Sequence, residues 1–152
     1  MADAGGVSIA DTARRIGEEV SAKAADDVDH EARFPHESFE ALKAERLLAA
    51  LIPVELGGLG ASLTDVAAAC TELGRHCAST AMIFAMHQIQ VSCLVRHGHN
   101  DTLRQFIRRV ADEQLLLASA TTEINIGGDV RSSSCAVERD GGKFHLAKVA
   151  PV

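Results

Sequence analysis

The sequence has 152 residues, enough for one domain with a real core; 47% of it is hydrophobic but only 3% aromatic, with no Trp and no Tyr. Its core must therefore be Ala, Leu, Val and Ile, a composition that favours packed helices. A formal charge of −6 and the lack of a basic run argue against a nucleic-acid partner, whose phosphates need neutralising.

The start, MADAGGVSIAD, lacks the basic head and apolar centre of a signal peptide. From Ser8, Ile9, Ala13, Ile16, Val20 and Ala24 recur every three or four places between charged residues. This predicts an amphipathic helix capped by Ser8 that dissolves in the acidic run Asp26-Asp27-Val28-Asp29. A solvated helix end accounts for those acids better than a metal site. Phe34-Pro35 signals entry into a second helix, with Phe39, Leu42 and Leu47 inward and Glu40, Lys43 and Glu45 outward. The stretch LIPVELGGLG, residues 51–60, invites thoughts of phosphate. It has neither a preceding βαβ strand nor a P-loop lysine, so a tight structural turn is expected.

A third helix begins at Ser62 or Thr64, with Val66, Ala69, Cys70, Leu73 and Cys77 as its stripe. Ser79 is then expected to cap a helix over 80–95 that is apolar on nearly every side, hence central and covered, with Gly98 at its end. His87, Gln88 and Gln90 at its middle and its short length argue against a bilayer span. A buried histidine satisfied by a carbonyl is the plainest reading of His87. His97 and His99 lack a third metal ligand, and Cys70, Cys77, Cys93 and Cys135 have no zinc spacing. The expectation is a soluble, cytoplasmic chain with reduced thiols, no metal and no membrane partner.

Asn100 or Asp101 can cap a last helix, with Leu103, Phe106, Ile107 and Val110 inward and Arg104, Arg108 and Arg109 outward. A polar link, 111–114, then leads into LLLASATTEINIGGD, residues 115–129. Its apolar opening predicts a buried strand, and its hydroxyls and glycines a loop that another molecule can approach closely. By themselves these residues fit an ordinary strand-end turn. Runs at 132–138 and 143–146 flank Arg139-Asp140-Gly141-Gly142, a strong hairpin signal.

Several of these segments together resemble the acyl-CoA dehydrogenase family. Its members carry a Phe-Pro helix, then Pro-x-Glu-x-Gly-Gly-x-Gly, matched here by Phe34, Pro35, Pro53, Glu55, Gly57, Gly58 and Gly60. They also carry a Thr-Glu-Pro-x-Ala-Gly-Ser-Asp loop against the flavin, matched at Thr122, Glu123, Gly127 and Asp129. Ile124, Ile126 and Gly128 depart from it, and Ile124 and Gly128 look more like flavin monooxygenase-type or otherwise diverged branches. The resemblance runs from about Ile9 to Lys148, in order and at family spacing.

It implies a mostly α chain, with an N-terminal helical domain of five or six helices over 1–111. The first β-hairpin of an incomplete middle β-domain would follow over 112–152. It also implies an FAD edge at Ser119, Ala120, Thr121, Thr122, Gly127 and Gly128, with Gly128 and His87 toward an acyl-CoA-like substrate. Gly128 replaces a serine that in the family helps hold the acyl thioester, which puts acyl-CoA itself in question. The family removes an α-proton and passes a β-hydride to flavin, using a glutamate base in a C-terminal helical bundle. No residue here matches that base, so the chain alone is expected to be inactive. Three arrangements follow: a partial flavoenzyme, a subunit completed by another chain, or a helical interaction module without flavin. An unpaired strand edge and exposed apolar faces favour self-association in all three.

Overall fold

Ser8 opens the first helix as its position predicts: its Oγ accepts the Asp11 amide at 3.1 Å, satisfying an amide that the helix start leaves orphaned. The structure, a computed structural model, describes residues 8–124, 131–135 and 137–150. α1 (Ile9–Ile16) passes through a π-helical turn (Gly17–Ser21) into α2 (Ala22–His30), forming one continuous rod. Ala13, Ile16, Ala24 and Val28 form its buried stripe. The acidic run does not end this helix. Val28 keeps the stripe buried, while Asp27 on the wet side pairs with Arg33 beyond the helix end.

α3 (His36–Ala44) follows Pro35 and buries Phe39 and Leu42. Between it and the π turn, the fully buried Ser38 hydroxyl donates to Ser21 Oγ at 2.9 Å. Leu47 is buried as expected, but beyond the helix. Arg46 adopts a left-handed φ of 59°, and Leu47–Ala49 forms a short 3-10 turn. The Arg46 guanidinium then donates to the carbonyls of Gly57 and Ala111, tying this turn to two later segments.

Ser62, and not Thr64, caps α4 (Leu63–Gly74), in a reciprocal capping box with Asp65. Val66, Ala69 and Leu73 are buried on it, and Cys70 is half-buried. Cys77 is buried too, but at the start of the next helix and not on the α4 stripe. That helix, α5 (Ala78–His97), begins before Ser79, which therefore lies in its first turn.

At 20 residues α5 is longer than the sequence suggests, and by length and composition alone it is long and apolar enough to cross a membrane. Within this chain it is half covered. Thr80, Phe84, His87, Gln88 and Val91 are buried, whereas Met82 and Ile89 are 63% and 52% exposed. The expectation of a helix covered on nearly every side is corrected accordingly: one face packs and the other is open.

Asn100 caps α6 (Asp101–Glu113), its Oδ1 accepting the Leu103 amide at 2.9 Å. The helix takes in residues 111–113, expected as a link, because buried Ala111 extends the inward face of Ile107 and Val110. Among the described residues the apolar side chains gather in two larger clusters and a small third of Ala24, Val28 and Cys77. The first, around Phe39, Leu42, Leu73 and Phe84, draws on α1, α3, α4 and α5. The second gathers Ile52, Val91, Ile107 and Val110.

The helical unit spans Met1–Ala118 and a second unit spans Ser119–Val152. In the second, β1 (Val137–Asp140) pairs antiparallel with β2 (Lys143–Leu146) in the register Val137 to Leu146 and Asp140 to Lys143. Gly141, at a φ of 56°, and Gly142 make the two-residue turn; Arg139 and Asp140, expected in the turn, belong to β1 because Asp140 pairs with Lys143. Every residue of both strands is exposed. The strand expected at 115–118 is absent from the sheet. Its residues alternate half-buried Leu115 and Leu117 with exposed Leu116 and Ala118, a strand's rhythm without a ladder. Residues 132–135 likewise carry no strand. A strand is defined by its partner's hydrogen bonds, and the hairpin is the only sheet among the described residues.

Candidate functional site

The glycine-rich loop offers no anion cradle, because its amides are spent on its own chain. Gly58 donates to Pro53 O, Leu59 to Ala49 O, Gly60 to Ile52 O and Ala61 to Ala50 O, at 2.9–3.1 Å. Gly58 must be glycine, since a Cβ there would lie 2.0 Å from the Ile52 carbonyl oxygen. The expected structural turn is what forms.

His87 is fully buried in the middle of α5, and both ring nitrogens are engaged. Nε2 lies 2.7 Å from the Leu48 carbonyl, and Nδ1 accepts the Leu117 amide at 3.0 Å. An acceptor on one side and a donor on the other fix the neutral ring with its proton on Nε2. Burial lowers the His87 pKa and outweighs the opposing effect of the Leu48 hydrogen bond. Its neighbour Gln88 donates Nε2 to Leu47 O at 2.9 Å, leaving its own Oε1 buried without a partner. Beside Gln88, an apolar groove of 520 Å³ runs between α4 and α5, lined by Leu63, Val66, Cys70, Ala85 and Ile89 among others. Burial raises the Cys70 thiol pKa, which lowers its thiolate share in this apolar lining.

In the second unit, Ser119 is half-buried and Ala120, Thr121 and Thr122 are exposed. Gly127 and Gly128, the other expected flavin-side positions, lie outside the described residues. Next to the two threonines, Glu123 is the organising group. Its Oε1 accepts Ser133 Oγ at 2.6 Å and pairs with Lys148 Nζ at 2.9 Å. Its Oε2 accepts the Ser134 amide at 2.6 Å and Ser134 Oγ at 2.8 Å. The Ser133 hydrogen bond and then Lys148 hold this carboxyl down to a pKa of about 2. With four donors, each lone-pair site of the Glu123 carboxylate is engaged within the loop. Sequence reasoning placed Glu123 in a motif but missed Lys148, Ser133 and Ser134. The one local signal was a lone lysine just past an Asp-Gly hairpin.

The Ser119, Thr121 and Thr122 side chains make no hydrogen bond to another described residue, and Thr121 contributes its carbonyl to Lys148 Nζ at 3.4 Å. Short hydroxyls on an open segment are the donor and acceptor set that the polar edge of a flavin ring requires, so the residues present fit such a group. His87 belongs to the helical unit and residues 119–122 to the second, and each site is built within its own unit.

Residues 7–114, which hold the helices and the Gly-Gly turn, match the family model of the acyl-CoA dehydrogenase N-terminal domain. The chain belongs to the acyl-CoA dehydrogenase family. It is 32% identical over 135 residues to the "Probable acyl-CoA dehydrogenase fadE25" of Mycobacterium leprae, an alignment covering 89% of this chain and 35% of that one. Methanesulfinate monooxygenase MsuC from Pseudomonas fluorescens shares the fold with a TM-score of 0.78 at 22% identity, over 94% of this chain and 35% of that one. FMN-bound TdsC from Paenibacillus sp. A11-2 does so with a TM-score of 0.80 at 19% identity, over 91% and 34%. The chain spans about a third of the length of the relatives it matches.

Proposed function

We propose that this chain supplies one wall of an FAD site in an acyl-CoA dehydrogenase-like oxidoreductase that acts on an acyl-CoA or related substrate. The observation that carries the reading is the run Ser119, Thr121 and Thr122, whose side chains are unspent beside a loop pinned by Glu123. The Thr121 and Thr122 hydroxyls and nearby amides would hydrogen-bond the isoalloxazine ring and orient it, with Gly127 and Gly128 leaving room for close approach. When bound, the flavin supplies the hydride acceptor. As substrate-side candidates the proposal names His87 in the helical unit and, separately, Gly128 in the second. His87 reaches a ligand only by giving up the Leu117 amide.

No residue of this chain is assigned as the general base, and the chain alone is proposed to be inactive. Exposed Leu63, Met82 and Ile89, with the apolar groove, support completion of the site by association, either with a second copy or with a complementing chain. A cytoplasmic location is part of the same proposal, supported by four free cysteines.

The test is to incubate the purified chain with FAD, remove free cofactor by gel filtration and record the visible spectrum. Retained flavin with a shifted band supports the site, and light scattering on the same sample gives the assembly that holds it. Colourless protein removes the stand-alone flavin reading. A helical partner-binding module, or a subunit needing its complement, would then remain, separated by whether co-expression with a candidate chain restores flavin.

A further inference from the structure

We infer that Glu123 and Lys148 are positioning residues for the flavin edge: their ion pair sets the Thr121 carbonyl and, through it, the direction in which Thr121 and Thr122 present their hydroxyls. The inference rests on the reading of residues 119–122 as a flavin edge, and it names what orients them.

The geometry is specific. Lys148 Nζ reaches Glu123 Oε1 at 2.9 Å and the Thr121 carbonyl at 3.4 Å, so one ammonium binds the loop at two points, two residues apart. The other Glu123 oxygen closes on Ser134 through both its amide and its hydroxyl. Three separate segments, at 121–123, 133–134 and 148, thus meet at a single carboxylate. The Glu123 side chain is 6% exposed and that of Lys148 20%, so the pair is largely shielded from water, although the strands between the two residues are exposed throughout. Among the described residues of this unit the large apolar side chains, Ile124, Val137, Phe144, Leu146 and Val149, are exposed. The polar hub ties the loop, and a charge-assisted set of this density is more directional than packing would be.

The consequence is that neither residue needs to touch the flavin to govern it. With Glu123 neutralised, Lys148 loses its anchor and the Thr121 carbonyl its donor. The backbone at Thr121 and Thr122 then loses the contact that fixes its dihedral angles, and with them the direction of the Thr121 carbonyl, the Thr122 amide and the two side chains.

The experiment uses the full chain with Glu123→Gln, Lys148→Met and Lys148→Arg, read first without flavin. The amide nitrogen shift of Thr122 reports hydrogen bonding at the preceding Thr121 carbonyl, and amide exchange at Ser134 reports its bond to Glu123. Glu123→Gln is expected to speed Ser134 exchange by about tenfold or more. Both Glu123→Gln and Lys148→Met should shift the Thr122 resonance, and Lys148→Arg should restore it, with the helical circular dichroism unchanged in all three. An unmoved Thr122 resonance in both Glu123→Gln and Lys148→Met overturns the inference, whether or not the chain binds FAD. FAD is then added. Where the wild type retains it, Glu123→Gln and Lys148→Met should shift the flavin band and weaken retention, and Lys148→Arg should return the band toward wild type. An identical band and affinity in all variants overturns the positioning role even if the loop has moved. A wild type that retains no FAD sinks the flavin reading alone, and the Thr122 measurement still decides whether the pair orients the loop.

Discussion

The helical unit and the second unit solve the same problem by opposite means. In residues 8–118 the chain fixes itself by burying apolar side chains. Among its interior polar groups, His87, the Gln88 amide nitrogen and the Ser21–Ser38 pair are tied to nearby carbonyls or to each other, while Thr80 Oγ1, Gln88 Oε1 and Gln114 Oε1 find no partner among the described residues. In the second unit every strand residue is exposed, and three segments of the described chain meet at a carboxylate with four donors. The contrast teaches where substitutions will be felt. Size and shape matter in the first unit, whereas charge and hydrogen-bond count matter in the second.

Phe84→Ala should give the largest effect. Phe84 is fully buried where α1, α3, α4 and α5 meet, and emptying that volume should cost about 3–5 kcal/mol, read as a lowered urea midpoint of the helical transition. A loss below about 1 kcal/mol would show that the helical unit is not organised around this core. Gly58→Ala should come next, at about 1–3 kcal/mol, because the added methyl meets the backbone of Ile52 and not a side chain that can turn away.

His87 sharpens the comparison through pH. Its folded-state pKa is depressed, so the unfolded chain takes up the proton first as pH falls. The His87 contribution is therefore whole above the unfolded value of about 6.5 and drains away as pH falls below it. His87→Gln should cost about 1–3 kcal/mol at pH 8 by orphaning one of two buried partners. The difference between the two proteins should shrink toward pH 5. A difference independent of pH would mean that His87 is not held neutral. Glu123 moves in the same direction but in a lower window. Its pKa of about 2 keeps the hub intact through pH 5, and loop order should be lost only below about 4.5, as the pH falls toward 2.

What was legible in the sequence follows the same division. The stripe from Ile9 to Ala24, the cap at Ser8 and the Gly-Gly turn could be read directly, and the α6 cap was narrowed to Asn100 or Asp101, because helix periodicity and turn chemistry are local. The errors fell where a boundary depends on something distant. The acidic run stayed helical because Val28 finds cover and Asp27 finds Arg33. The apolar run at 115–118 has a strand's alternation but no ladder, since pairing is a property of two segments. His87 could be read as a buried histidine, whereas its second partner, the Leu117 amide 30 residues away, could not. Glu123 was visible as part of a loop motif, but its four donors come from residues 133, 134 and 148, and no local pattern joins them.

Two smaller changes complete the comparison. Ser62→Ala removes the side-chain half of a capping box in the helical unit and should cost about 1 kcal/mol. Phe144→Thr in the hairpin should cost the least. Phe144 is 70% exposed opposite Arg139, and a surface substitution of this kind normally falls within about 0.5 kcal/mol of zero. The two are measured together by chemical denaturation at low and high protein concentration. Should Phe144→Thr cost more than Ser62→Ala, and only at high concentration, the exposed hairpin face is covered by a second copy in solution. The second unit would then share the apolar logic of the first, supplied between chains and not within one. A small, concentration-independent effect leaves the hairpin as a solvated ribbon whose place is set by Glu123 and Lys148.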